Sequence, residues 1–203
     1  MSVSDETTRV VYDNTIRVLG IETSTTYLSL GWLEVTAGTV RRSAAHSALI
    51  GRAHSELILG QLKAFMAEQS AVAPDVIAVG VGPGSYTGVR VGVSLALGLA
   101  RGWNASAVGV PSLEAIAGQR DGVVAVTLDA RKGMVYSAVY RVQDQVILET
   151  LVSVAKRPLE EFAVFAPRDA IWLRDAAPDG LTLARLGLAA RQRGQTSVEI
   201  SYL

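Results

Sequence analysis

The stretch GVGPGSYTGVRVGVSLALGLA, Gly80 to Ala100, constrains the fold more than any other part of the chain. It joins a β-branched run at residues 76–81 to an apolar run through Gly80, Gly82, Gly84, Gly88 and Gly92. That order predicts a buried strand, a tight loop and then a helix over about residues 89–101. A Walker phosphate loop is excluded, because Gly88 is followed by Val89 and Arg90 instead of Lys and Ser/Thr. Gly82-Pro-Gly-Ser-Tyr-Thr-Gly88 does fit a GxGxxxG dinucleotide loop. However, a ribose-binding acid about 20 residues on is missing, since no Asp or Glu occurs between Asp75 and Glu114. The remaining reading is packing: Gly88, Gly92, Ala96 and Ala100 recur every four residues and make one helical face nearly flat. The start of such a helix also offers free N–H groups to an anion.

Upstream, residues 18–22 read as a buried strand ending in Glu22 and the small hydroxyl cluster Thr23-Ser-Thr-Thr26. Strands are expected over residues 27–32 and 39–45, and a helix over 55–69 from the spacing of Ile58, Leu62, Phe65 and Met66. After a strand at 105–110 the pattern restarts. Residues 123–129 form a strand ending in Asp129, and a turn and a strand over 135–141 follow. Setting Glu22 against Asp129 places Leu28 over Val135 and Trp32 over Val139, which suggests an internal duplication. Ser112 is expected to cap a helix, a helix at 182–193 to stop at Gly194, and residues 198–203 to form a last strand. This divides the chain into an N-terminal extension (1–16), a first half (17–104) and a shortened second half (105–203).

Composition removes several functions. The 203 residues carry 19 Lys+Arg and 19 Asp+Glu, for zero formal net charge, so nothing draws the chain to nucleic acid or anionic membrane. There are no cysteines, hence no disulfide, thiolate metal site or cysteine nucleophile. Residues 1–16 lack the basic and apolar regions of a signal peptide, and the most apolar window, 91–100, is too short to span a bilayer. A soluble cytoplasmic protein is expected. The two histidines, His46 and His54, stand eight apart, and His54 at a helix start reads as a cap or surface residue. No GxSxG-type elbow supports a Ser/His/Asp triad. Arg41-Arg42 and Arg131-Lys132 are the densest basic points, too small for independent nucleic-acid binding.

Five segments together, VLGIETSTTYLSLGWLE, HSELILGQLKAFM, GVGPGSYTGVRVGVSLALGLA, VGVPSLEAIA and LDARKGMVYSAVY, resemble the bacterial TsaB (YeaZ) family over about residues 17–140. The resemblance implies an α/β, actin-like and sugar-kinase-like (ASKHA) fold of two RNase-H-like halves. It further implies a non-catalytic paralogue of TsaD in the machinery that forms N6-threonylcarbamoyladenosine at position 37 of tRNAs reading ANN codons. The implied partners are a TsaD-type protein, a TsaE-type ATPase and, in isolation, a second copy, with tRNA met only through the complex. No cofactor or metal is implied, apart from ATP or ADP at the partner interface. The two metal-binding histidines of TsaD-like proteins align with Ser112 and Ile116, and isoleucine cannot ligate a metal. Relatives usually carry Asp where Glu22 stands and Glu where Met134 stands.

Two sets of candidate residues result. The partner seam implied by the resemblance comprises Leu57, Ile58, Leu62, Phe65 and Met66 on the first helix, with Gly88, Val89, Gly92, Val93 and Ala96 on the second. The helix over 55–69 shows a wider apolar arc than one core face needs. Nucleotide or anion contacts would come from Glu22, Thr23, Ser24, Gly84, Ser85, Thr87, Asp129 and Arg131. No catalytic residue and no metal ligand is assigned. The competing reading is an ATP-binding phosphotransferase or hydrolase acting alone through Glu22, Thr23 and Asp129; a dinucleotide oxidoreductase would need NAD(P).

Overall fold

The computed structural model describes residues 14–51, 53–69 and 72–203. Most of the expected N-terminal extension, residues 1–13, lies outside the described residues, as does the side chain of His54. Thr15 and Ile16, expected in that extension, already belong to the first strand.

The first sheet contains β1 (Thr15–Glu22), β2 (Tyr27–Thr36), β3 (Thr39–Leu49), β4 (Val76–Gly80) and β5 (Ser106–Val110), in the order β3-β2-β1-β4-β5. β1, β2 and β3 run as an antiparallel meander, while β4 and β5 are parallel to β1. Helices α1 (His54–Glu68) and α2 (Tyr86–Trp103) close one face over Leu19, Ile21, Leu30, Trp32 and Val79. The second sheet holds β6 (Gly122–Asp129), β7 (Met134–Gln143), β8 (Val146–Pro158) and β9 (Ile171–Arg174), in the order β8-β7-β6-β9. Its two faces pack on α3 (Ser112–Ala117) and α4 (Leu159–Phe165).

The last helix, α5 (Gly180–Gln192), returns to the first sheet and packs its buried Leu183 and Ala184 with Val18, Leu33 and Ala78. Its entry point is set by size. Gly20 and Gly31 pair across β1 and β2, and a Cβ on either would run into the backbone at Gly180. Three positions without side chains thus let a helix lie directly on the sheet. β5 and α5 both serve the first sheet, so the sheets divide between Val110 and Gly122 and not near Asn104.

The duplication is present, with a correction to its register. Glu22 pairs with Ser29, whereas Asp129 pairs with Val135. The second turn is therefore one residue shorter, and Ser29, not Leu28, corresponds to Val135, while Leu33, not Trp32, corresponds to Val139. A one-residue slip matters because it moves every side chain to the other face. Residues 198–203 form no regular strand. The chain there passes β5, where Gly109 N–H donates to the Ser197 carbonyl (3.1 Å), and then the end of β4, where Ser201 N–H donates to the Val81 carbonyl (2.9 Å). Ser112 does not cap α3. Pro111 holds that position, and Ser112 is the first helical residue.

Candidate interaction site: the glycine loop and the outer faces of α1 and α2

β4 ends at Gly80 and α2 begins at Tyr86, so Val81–Ser85 must turn the chain in five residues. Gly82, at φ +90°, takes a backbone conformation that other residues avoid. The loop is tied on two sides. Gly82 N–H donates to Ser112 Oγ (3.1 Å) and Ser112 N–H to the Gly82 carbonyl (2.8 Å). On the other side Ser85 N–H donates to the Ser24 carbonyl (2.6 Å), and Ser85 Oγ caps α2 by accepting from Gly88 N–H (3.3 Å).

The flat face of α2 then rests on the β1–β2 turn. Thr23 Oγ1 donates to the Gly88 carbonyl (2.7 Å), a Cβ at Gly88 would meet the Thr23 carbonyl, and one at Gly92 would meet Thr23 Oγ1. The glycines place a helix against a turn. Glu22, Thr23 and Ser24, expected to touch a nucleotide, are all buried in this contact. The Glu22 carboxylate lies against Gly80 and accepts from Ser24 N–H (2.5 Å), while its Oε2 and the Ser24 Oγ have no hydrogen-bond partner among the described residues. Burial raises the Glu22 pKa above the usual carboxylate range, against the weaker opposing pull of the Ser112 and Ser24 hydroxyls and nearby N–H groups.

The remaining expected contacts do not join this group. Ser85 and Thr87 are exposed and Gly84 is half-buried at the start of α2. Asp129 and Arg131 are exposed on the second lobe, where the Asp129 carboxylate accepts from Arg131 N–H (2.8 Å) and Asp129 N–H donates to Asp175 (2.7 Å). Among the described residues no three His, Cys, Asp or Glu side chains are placed to hold a metal ion. Ser112 and Ile116 are both fully buried.

The implied seam also requires correction. Ile58, Leu62, Phe65, Met66, Val89, Val93 and Ala96 are core residues packed on β1, β2 and β4, and Gly88 and Gly92 are buried against Thr23. Leu57 alone of the ten is exposed, at 42%. What the two helices present outward is a different set: Leu59 at 61%, Tyr86 at 56% and Leu97 at 47%. Between the helices runs an open groove of about 500 Å³. Its walls are the apolar Ile58, Leu59, Val91 and Leu95 with Tyr86, joined by the hydroxyls of Ser55, Thr87 and Ser94. Arg90 is the single charged side chain lining it.

Sequence spacing does not single out Arg90. Its guanidinium carbon stands 3.9 Å from the centre of the Tyr86 ring and 5.9 Å from that of Tyr202, and both its Nε and one terminal nitrogen donate to Tyr202 Oη at 3.4 Å. The two tyrosine rings are 5.7 Å apart. A second hollow of about 220 Å³ adjoins this cluster, between Gly84, Val89, Tyr136 of β7 and the terminal residues 200–203. No helix among the described residues is long and apolar enough to cross a membrane.

A family described as "TsaD: tRNA N6-adenosine threonylcarbamoyltransferase" matches residues 45–163, more than half of the chain. The chain is 36% identical over 134 residues to the "tRNA threonylcarbamoyladenosine biosynthesis protein TsaB" of Escherichia coli, covering 62% of this chain and 55% of that protein. It is 43% identical over 79 residues to the protein of the same description in Bacillus subtilis, covering 37% of this chain and 34% of that one. The chain thus spans about half, or less, of the curated relatives it matches. In fold it is similar to "YeaZ from Pseudomonas aeruginosa", with a TM-score of 0.78 at 24% identity over 93% of this chain and all of the other. The two lobes are accordingly RNase-H-like halves of an actin-like fold. The chain belongs to the family described by TsaD, among its TsaB (YeaZ) members.

Proposed function

We propose that this chain is a non-catalytic subunit in the formation of N6-threonylcarbamoyladenosine at position 37 of tRNAs reading ANN codons, and that it works by docking a TsaD-type protein. The observation that carries this reading is the outer surface of α1 and α2. Their inner faces are fully used in the core, yet the exposed Leu59 and Tyr86 line an open apolar groove, and Leu57 and Leu97 are exposed on the same two helices. Contiguous apolar surface rimmed by polar groups is what a protein-docking site requires. A specific complex there would bury about 1,600 Å² in total. The relatives named for threonylcarbamoyladenosine biosynthesis supply the pathway.

The non-catalytic part of the proposal rests on Glu22, Ser112 and Ile116. Glu22 is sealed against Gly80, and Ser112 and Ile116 occupy the positions where the resemblance places metal ligands. On this reading the isolated chain forms a homodimer that exchanges into a heterodimer, a TsaE-type ATPase joins the pair, and any ATP or ADP sits at the partner interface. The competing reading, an ATP-handling enzyme acting alone, would need turnover by the isolated protein that Asp129→Asn abolishes.

Reconstitution tests the proposal. Threonylcarbamoyladenosine formation is measured on tRNA with the TsaD-type and TsaE-type proteins of the same organism, ATP and an activated threonylcarbamoyl donor. Product should form only when this chain is added, and none with this chain alone. Equal product with and without it, or modification by the chain alone, would overturn the assignment.

A further inference from the structure

Every other side chain lining the α1/α2 groove is neutral, which makes the charge on Arg90 the one electrostatic feature a partner meets there. It is exposed, and no carboxylate pairs with it among the described residues. Exposed arginines ordinarily sample many rotamers, and fixing one costs about 0.5–1.5 kcal/mol on binding. Here the guanidinium already stands over the Tyr86 ring, 3.9 Å from its centre, and is hydrogen-bonded to Tyr202 Oη. Tyr202 occupies the side of the fork formed by Nε and one terminal nitrogen, and the other terminal nitrogen, which makes no hydrogen bond among the described residues, is left to donate to a carboxylate.

Resting on the docking role proposed above, we infer that Arg90, clamped between Tyr86 and Tyr202, is the polar anchor of the groove and receives a carboxylate from the docked protein. Arginine and tyrosine side chains next to apolar walls are the residue types that dominate binding energy at protein interfaces. A polynucleotide is the poorer fit. Its phosphates would ask for several cations, whereas this groove has one, and its remaining walls are Ile58, Leu59, Val91 and Leu95. Tyr202 lies 112 residues away in sequence and acts through Arg90 as a positioning residue. The terminal segment is thereby part of the docking surface.

The test is calorimetric titration of the TsaD-type protein of the same organism with wild type, Arg90→Met, Tyr202→Ala, the double variant and Leu59→Asp, at low and high salt. Arg90→Met should weaken pairing by about thirtyfold or more and flatten its salt dependence. Tyr202→Ala should weaken it about two- to tenfold, and should cost nothing further in the Arg90→Met background. Arg90 is exposed, so circular dichroism should show all Arg90 variants folded. If Arg90→Met pairs within threefold of wild type while Leu59→Asp does not pair, the groove is the docking site and the role of Arg90 is refuted. If both variants pair as wild type does, the docking surface itself is wrong and the inference falls with it. If Arg90→Met loses binding to a tRNA anticodon-stem oligonucleotide while protein pairing is unchanged, the partner is nucleic acid and the inference is likewise overturned.

Discussion

One substitution, Gly→Ala, placed at three points on α2, should give opposite effects. At Gly98 nothing lies within 4 Å of a new Cβ, so the change acts only on helix propensity. Alanine is better there by about 0.8–1 kcal/mol, and the variant should be more stable by that amount. At Gly92 the same methyl meets Thr23 Oγ1. The hydroxyl can move only by giving up its bond to the Gly88 carbonyl, which leaves a buried hydroxyl donor unpaired at a cost of about 1–3 kcal/mol. Overpacking adds about 1–3 kcal/mol. After subtracting the propensity gain, Gly92→Ala should lose about 1–5 kcal/mol. At Gly88 the obstacle is the Thr23 backbone carbonyl, which cannot rotate away, so the loss should be at least as large. Urea unfolding followed by circular dichroism measures all three, with m unchanged as the sign that only stability has moved. If Gly92→Ala and Gly88→Ala are stabilised like Gly98→Ala, α2 is not seated on the β1–β2 turn.

Glu22→Gln should raise stability at neutral pH and flatten its pH dependence. The folded-state pKa of Glu22 is raised, so folding takes up a proton, and wild-type stability is greatest below the usual carboxylate pKa and falls as pH rises through the folded value. Urea midpoints at pH 5 and pH 8 should therefore differ less in the variant than in wild type. Phe162→Ala removes a fully buried ring from under α4 and its edge contact with Trp172 at 5.4 Å, and should cost about 3–5 kcal/mol, read from thermal unfolding and loss of the near-ultraviolet tryptophan signal. Leu62→Asp should fail to fold, because Leu62 is buried on the first sheet, and circular dichroism would show it directly.

The strand, loop and helix around residues 76–103 were legible because β-branched residues, glycine spacing and an apolar helical period all agreed there. The inner and outer faces of α1 were not. Ile58, Leu62, Phe65 and Met66 form the core stripe and Leu57 and Leu59 point outward, but in the sequence they merge into one wide apolar arc. Periodicity gives the width of such an arc, and only the neighbouring sheet decides which part of it is covered. The partition into halves erred for a similar reason. Nothing local in residues 180–192 says which sheet the helix joins; the glycines at 20, 31 and 180 fix that, and they are far apart in the chain. β8 and β9 escaped because β8 carries three register irregularities and β9 has four residues. The Arg90–Tyr202 contact has no local signature at all.

The account stands or falls on the outer surface of α1 and α2. The direct measurement is light-scattering chromatography of this chain mixed with the TsaD-type protein of the same organism, using wild type, Leu59→Asp and Leu97→Asp. Both leucines are exposed, so the variants should remain folded. Wild type should give a one-to-one complex, and the two variants should elute apart from the partner. A complex formed equally well by both variants would place the docking surface elsewhere and contradict the account.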